Sequence, residues 1–357
     1  MKLSAEHLTS LATSILGHAS GNPAAANKVA VRLVNANLTG HDSHGVGMIP
    51  AYVEGILAGQ LVPDANAMIV QDKGPFVLVD GQQGFGHIVA EQAMDIAIER
   101  AKVSHFAVLS LRNSFHLGRL GDWGAMAAEA GFICIIYANV QSSRPIVAPF
   151  GGSDARFVTN PYCTAIPATQ KHPMFLLDMA TSTIAMGKAR VADLSGKQVP
   201  EGSVIDAQGN PTTDPSVMFN EAGGSLTTFG AHKGFGLALL GDILGGSFSG
   251  GGAYSPEREV DANITNNMMA ILIDPDVFGA AEAFGIDVDK YTDWVKASPH
   301  APGFDAVQLP GDPERRSELD RRANGIFLDA GTRAQLKEAA QNAGVPPAEV
   351  EALAGDL

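Results

Sequence analysis

The sequence predicts an α/β fold: a mixed sheet covered by helices, with a helical unit formed from both chain termini. Three observations lead there. Apolar residues recur at helical spacing over about the first 65 residues and again over about the last 25. Continuous apolar runs of strand length fill the middle of the chain, and helical patterns alternate with them. Strands that are apolar without interruption belong to a sheet covered on both faces. The expected division is a helical unit of residues 1–72 with 290–357, and an α/β body of residues 73–289.

Taken in order, Ser4 is placed to cap a first helix that carries Leu8, Leu11 and Ile15 on one face. Asn22 followed by Pro23 reads as a cap with proline at the first helical position. The helix that follows turns Val29, Leu33, Ala36 and Leu38 inward and stops at Gly40. A polar loop, HDSHGVG, precedes a third helix over about residues 50–59. From Phe76 onward, PFVLVDG reads as a strand, GHIVAEQAMDIAIERAK as a helix and HFAVLSL as a buried strand. DWGAMAAEA then reads as a helix and FICIIYANV as a further strand. MFLLDM and MMAILIDP are later strands, and GFGLALLGDILGG is expected as a buried helix. RAQLKEAAQNAG and PPAEVEALAG return to helix at the end.

Composition narrows the function classes. Lys and Arg total 24 against 38 Asp and Glu, a net charge of −14, so the basic footprint of a nucleic-acid binder is missing. At 45% hydrophobic and 17% charged residues, 357 residues can bury a large core and carry little disorder. No window of 18 consecutive apolar residues predicts a membrane span, and the first twenty residues read as an amphipathic helix rather than a signal peptide. Cys134 and Cys163, both in apolar surroundings, read as buried thiols in a reducing compartment. The expectation is a soluble, cytoplasmic enzyme.

Four segments concentrate chemistry. His41-Asp42-Ser43-His44-Gly45 could serve acid–base chemistry or hold a metal, or could simply cap a helix. Asn113 to Gly121, NSFHLGRLG, follows a strand and opens a helix, where backbone amides can hold an anion and Arg119 can meet a carboxylate or phosphate. Asp178 in LDMATS ends a strand that is expected to run into a helix. It could accept bonds from ribose hydroxyls or orient a histidine, and Asp178 or Thr181 could equally be a helix cap. His232-Lys233-Gly234 opens the apolar helix, and a lysine beside glycines at a helix N-terminus suits phosphate better than it suits an empty dipole. No GxGxxG fingerprint occurs, which argues against a standard Rossmann domain.

GHDSHGVGMIPAYV, DGQQGFGH, NSFHLGRLGDWG, VAPFGG, TNPYCTAIP, LLDMATSTIAMGKARVA, GNPTTDP, HKGFGLALLGDILGG, LPGDPERR and NGIFLDAG occur in this order over roughly residues 40–330. Together they resemble the malate/L-lactate dehydrogenase-like family of NAD(P)-dependent 2-hydroxyacid oxidoreductases, which has its own non-Rossmann NAD(P)-binding fold. HDSHGVGMIP, SLTTFGAHKGFGLAL, WVKASPH and LDAG resemble its hydroxycarboxylate dehydrogenase branch. The resemblance implies reversible reduction of 2-oxo acids to 2-hydroxy acids with NAD or NADP. It implies that His44 exchanges the proton, with Ser43 bonded to it. Asp178 would orient His44 or hold the nucleotide, and His116 would lie near substrate. Gly118, Arg119 and Leu120 would lie near cofactor or substrate. Asp178, Met179, Ala180, Thr181 and Ser182 match dinucleotide contacts of the family, as do His232, Lys233, Gly234 and Asn266, and the stretch Gly311, Asp312, Pro313 and Glu314. Family members are homodimers with sites near the subunit contact, so a homodimer is expected, acting on small-molecule 2-oxo and 2-hydroxy acids without a metal.

One departure bears on substrate. Many members carry Arg four residues after the catalytic histidine, and here that position is Met48. The substrate carboxylate then needs Arg119 or Arg190, and a larger, partly apolar acid such as 2-oxoglutarate or an aryl pyruvate becomes more plausible than malate. Other readings stay open: a malate, lactate or ureidoglycolate dehydrogenase, a cyclic imine reductase of the same family, a catalytically silent nucleotide-binding protein, and a metal-dependent lyase or hydrolase built on His41, Asp42 and His44.

Overall fold

The computed structural model describes residues 1–141, 144–220, 223–255 and 264–355. In chain order the elements begin with β1 (Lys2–Leu3), α1 (Ala5–Ser20), α2 (Pro23–Leu38), α3 (Ile49–Leu57), β2 (Met68–Lys73) and β3 (Phe76–Asp80). Then come α4 (Gly86–Ser104), β4 (Phe106–Ser114), α5 (Gly121–Glu129), β5 (Ile133–Gln141), β6 (Tyr162–Ile166), β7 (Phe175–Met179) and α6 (Met186–Leu194). β8 (Val204–Ile205), β9 (Pro211–Thr212) and β10 (Ser225–Leu226) precede α7 (His232–Leu240), which continues as a π-helical stretch over Gly241–Ser247. The chain closes with β11 (Thr265–Ile273), α8 (Ala281–Lys296), α9 (Asp312–Asn324), β12 (Ile326–Phe327), α10 (Ala330–Asn342) and α11 (Pro347–Ala354).

Local chemistry sets the first helices. Ser4 Oγ accepts the His7 amide at 3.2 Å, and Asn22 Oδ1 accepts that of Ala25 at 3.0 Å, which answers amides that a helix start leaves open. Leu8, Leu11, Ile15, Leu33 and Tyr52 then pack in one cluster with Leu336 of α10 and Val350 of α11, while β1 pairs antiparallel with β12. Both chain ends therefore contribute to one core. Phe85, Ile88 and Phe115 belong to the same cluster and tie it to the sheet.

The main sheet has seven strands in the order β2-β3-β4-β11-β5-β6-β7, and β3–β4 is its one parallel pair. It is a mixed sheet flanked by helices: Ala93, Met94 and Ala97 of α4 and Trp123 and Ala127 of α5 bury against Leu109, Leu111, Ile136 and Ala270. Because β11 runs antiparallel to β4, its first residues lie beside the last residues of β4, with Asn266 opposite Ser114. A separate sheet, β10-β8-β9, packs with Val147, Val199, Met218 and Leu226 in a third cluster.

Three expectations change. The sheet begins at Met68, so the division placed between residues 72 and 73 falls inside β2. Every residue of that edge strand is exposed, and it carries no inward apolar alternation to read. The segment after Asp178 does not enter a helix directly: Thr181 and Ser182 lie in a turn, and α6 starts at Met186 with Ala185 in the cap position. The run GFGLALLGDILGG is helical but not fully buried, with Leu239, Leu240 and Ile243 all exposed. Its inner side is glycine: a Cβ on Gly245 would lie 3.0 Å from the backbone of Tyr137, Ala138 and Asn139. Cys134 and Cys163 are free and buried, and burial pushes the Cys134 thiol up to about 12.

Candidate active site

After α2 the chain reverses at Gly40, with φ +87°, and the His41 amide returns to the Ala36 carbonyl at 2.8 Å. A single 3-10 turn, Asp42–His44, follows. Buried Asn37 holds this turn from below: Oδ1 accepts the Val46 amide at 2.9 Å and Nδ2 donates to Asp42 Oδ1 at 2.7 Å. A side chain at position 45 would sit 2.3 Å from that amide, so only glycine lets the turn close over Asn37. Arg321 of α9 clamps Asp42 with two bonds of 2.6 and 3.0 Å. The backbone carrying His44 is thereby fixed on both sides.

His44 meets His116. Its Nδ1 lies 3.1 Å from His116 Nε2, and the two rings are nearly parallel at 8°. His116 sits between the end of β4 and the start of α5. The Leu117 amide donates to Asn266 Oδ1 at 2.9 Å, and Trp123 Nε1 donates to the Leu117 carbonyl at 3.1 Å. Behind His116, the Tyr52 hydroxyl is 2.8 Å from Nδ1 and 3.4 Å from His87 Nδ1. Tyr52 is fully buried, and His87 and His116 are nearly so. Gly118, with φ +74°, passes so close to His87 that a Cβ would stand 2.2 Å from Nε2.

Burial sets the protonation of these groups. It holds His87 down to about 3, with the Arg32 charge and His44 adding to the shift, and it holds His116 well below the ordinary histidine value. His44 is also lowered by burial, against the pull of the Asp178 carboxylate and with smaller contributions from His41 and Arg119. Tyr52 is pushed well above its usual value by burial.

On the other side of His44, Arg119 is 6% exposed, with Nε 3.3 Å from Asp122 Oδ1 and 3.7 Å from Asp178 Oδ2. Asp178, at the end of β7, accepts the Gly121 amide at 2.7 Å and so answers the first turn of α5. Three buried atoms among the described residues find no hydrogen-bond partner here: Arg119 Nε, Asp122 Oδ2 and Glu314 Oε2. The other oxygen of Glu314 is 3.3 Å from His41 Nε2. Burial opposes the Glu314 charge, but the His41 bond and its own backbone outweigh it and the carboxyl falls below its ordinary value.

The structure thus brings together His44, His116, Arg119, Asp178 and Glu314, with Gly118 and Leu120 on the same turn. Asn266 is spent on backbone, donating to the Asn139 carbonyl at 3.3 Å as well as accepting Leu117, so it holds the His116 turn from beneath. Thr181 Oγ1 bonds the Thr159 carbonyl at 2.8 Å, and Ser182 Oγ bonds that of Ile184 at 2.8 Å. The Phe229 amide donates to the Thr181 carbonyl, which lays Met179, Ala180, Thr181 and Ser182 alongside the turn that leads to His232, Lys233 and Gly234. His232 and Lys233 are exposed at the start of α7, and Gly234 approaches the Phe229 carbonyl too closely for a side chain. Gly311, with φ +94°, and Asp312, Pro313 and Glu314 start α9, and the Leu176 amide of β7 donates to the adjoining Pro310 carbonyl.

One assignment is corrected. Ser43 is exposed and makes no hydrogen bond to His44, because the turn points Nδ1 of His44 at His116 instead. Asp178 does not hydrogen-bond His44; it acts on it through charge while bonded to Gly121. Arg190 is exposed on α6 and bonds none of the residues above. His41, Asp42 and His44 point to Glu314, Arg321 and His116 respectively, and the described residues hold no group of three or more His, Cys, Asp or Glu placed for a metal ion. Tyr52, His87 and Asp122 lie outside the sequence-predicted site residues; Tyr52 is a fully buried aromatic on α3. No helix among the described residues is long and apolar enough to cross a membrane.

Comparison with known proteins shows the family. The sequence matches the malate/L-lactate dehydrogenase family over residues 3–337. It is similar to hydroxycarboxylate dehydrogenase B of Escherichia coli strain K12, 41% identical over 359 residues that cover 100% of this chain and 98% of the relative. It is also similar to L-lactate dehydrogenase of Cupriavidus necator, 40% identical over 314 residues, or 88% and 90% of the two chains. The solved structure of a proposed malate/lactate dehydrogenase from E. coli matches with a TM-score of 0.94 at 40% identity, covering 99% of this chain and 98% of that one. The chain belongs to the malate/L-lactate dehydrogenase family and is a 2-hydroxyacid dehydrogenase that works with NAD or NADP.

Proposed function

We propose that the protein reversibly reduces 2-oxo acids to 2-hydroxy acids, with His44 exchanging the proton at the substrate oxygen. The observation that carries this reading is the pair of half-buried His44 and buried His116, backed by Tyr52 and placed beside Arg119 and Asp178. A histidine whose Nδ1 is held and whose charge is favoured by a nearby carboxylate is suited to give a proton in one direction and take it in the other.

The surroundings suit a dinucleotide. Arg119 Nε and Glu314 Oε2 are buried polar atoms without a hydrogen-bond partner that a polar ligand would answer. Residues 118–120, 178–182, 232–234 and 311–314 would hold it, with Lys233 suited to phosphate and Asn266 supporting the His116 turn from beneath. When bound, the nicotinamide supplies hydride to the carbonyl carbon or accepts it from the hydroxy acid. Arg119 is the proposed cation for the substrate carboxylate, with Arg190 as the alternative, and Met48, where many family members carry arginine, favours an acid with an apolar portion. We read the fold as a nicotinamide-binding architecture of non-Rossmann type, and the protein as a cytoplasmic homodimer.

The test is loss of nicotinamide absorbance with pyruvate, oxaloacetate, 2-oxoglutarate, phenylpyruvate and a cyclic imino acid, each with NADH and with NADPH and no added metal. Turnover of 2-oxoglutarate or phenylpyruvate above oxaloacetate supports the reading. Turnover of the imino acid alone, or of no compound, contradicts it.

A further inference from the structure

We infer that Tyr52 is a positioning residue that sets which nitrogen of His44 carries the proton, acting through His116. The inference rests on the proposed role of His44 and adds to it the direction of a buried hydrogen-bond chain. Four groups lie in series: His44 Nδ1 to His116 Nε2 at 3.1 Å, His116 Nδ1 to the Tyr52 hydroxyl at 2.8 Å, and that hydroxyl to His87 Nδ1 at 3.4 Å.

A neutral imidazole has one donor nitrogen and one acceptor nitrogen, so the chain can run in two directions only. Run inward, Tyr52 donates to His116, which donates to His44 Nδ1. The proton of His44 then sits on Nε2, and the ring has no free nitrogen to take a proton from a hydroxy acid. Run outward, His44 donates from Nδ1 to His116, His116 donates from Nδ1 to Tyr52, and Tyr52 donates to His87. Nε2 of His44 is then bare and ready to accept the hydroxyl proton, and the imidazolium that forms keeps the same Nδ1 bond. Return of that proton to the alkoxide in the reductive direction restores the starting chain, so no ring need change tautomer in either direction.

The outward run is the one that the proposed role of His44 requires, and the groups facing the chain leave the charge that then forms at the His44 end. His116 is faced by His44, His87 and Tyr52, and His87 by Arg32, His44 and Tyr52. His44 is faced by Asp178, His41 and Arg119 as well as His116. The one carboxylate among them, Asp178, lies at the His44 end, which is where a positive charge is tolerated. Tyr52 supplies the acceptor that the His116 Nδ1–H needs in a pocket closed to water, and Phe at this position would leave that hydrogen unpaired.

The experiment is nitrogen NMR of histidine-labelled protein, assigned with His44→Gln, His116→Gln and His87→Gln, beside steady-state kinetics of Tyr52→Phe. That variant keeps the ring that packs on Phe85 and Phe115. In the wild type at pH 7.5, His44 and His116 should both carry hydrogen on Nδ1. In Tyr52→Phe both should move it to Nε2, with kcat for 2-hydroxy acid oxidation down roughly 10- to 100-fold and KM and cofactor affinity little changed. A wild-type His44 protonated on Nε2, or tautomers unmoved by Tyr52→Phe, overturns the inference. Absence of turnover in the wild type would overturn the proposed reaction instead, and the tautomers would still decide the direction of the chain.

Discussion

His44 and His116, 72 positions apart in sequence, face each other edge to edge, with Nδ1 of one 3.1 Å from Nε2 of the other and their rings within 8° of parallel. Neither ring is ordinary in its protonation, because burial disfavours the charged form of both. The pair forms where a glycine-closed turn after α2 meets the loop between β4 and α5. Two separate devices fix those positions: Asn37 under the first, and Asn266 under the second.

The buried histidines make stability depend on pH. His87 titrates at an ordinary 6.5 when unfolded but at about 3 in the fold. Between these values the unfolded chain binds a proton that the folded chain refuses, so stability is full above pH 6.5 and falls as pH drops toward 3. The slope is about 1.4 kcal/mol per pH unit from this residue alone. Urea unfolding at pH 7 and pH 5.5 should show the loss, and His87→Gln should reduce it. An unchanged pH dependence in the variant would mean that His87 is not held neutral.

Asp178 favours the charged form of His44 without bonding to it. Asp178→Asn keeps an oxygen for the Gly121 amide and removes the charge, so His44 should become harder to protonate. The acid limb of kcat/KM for hydroxy acid oxidation should move to lower pH. A limb that stays in place would assign it to another group.

Lys233 stands exposed at the start of α7, where the helix dipole disfavours a cation that has no anion to meet. Lys233→Ala should weaken NAD(P)H binding roughly 10- to 100-fold, the loss of one charged hydrogen bond. Turnover at saturating cofactor should survive. Titration of nicotinamide fluorescence decides it, and an unchanged affinity would remove Lys233 from the cofactor site.

What was legible in the sequence was local. The caps at Ser4 and Asn22 are read from residues three apart, and β4, β5 and β11 from unbroken apolar runs. The exposed edge strand β2, the two-residue strands β8 to β10, and the polar helix α9 carry no such pattern, and they exist because of what they pair with or pack on. The site divides in the same way. His44, His116 and Arg119 stand out as polar residues in glycine-bearing turns, Asp178 as a carboxylate at a strand end and Glu314 as one that follows Gly311 at a helix start. That Arg119 meets Asp178, or that Tyr52 backs His116, depends on contacts between residues 59 and 64 positions apart, which no spacing rule encodes.

The account turns on His44 as the proton carrier for a 2-oxo acid. The most direct measurement is single-turnover decay of nicotinamide absorbance in His44→Ala and in the wild type, each saturated with NAD(P)H and the best 2-oxo acid. Loss of a positioned acid should slow the decay roughly 10²- to 10⁴-fold while cofactor affinity holds. A variant that decays at the wild-type rate would show that His44 does not carry the proton.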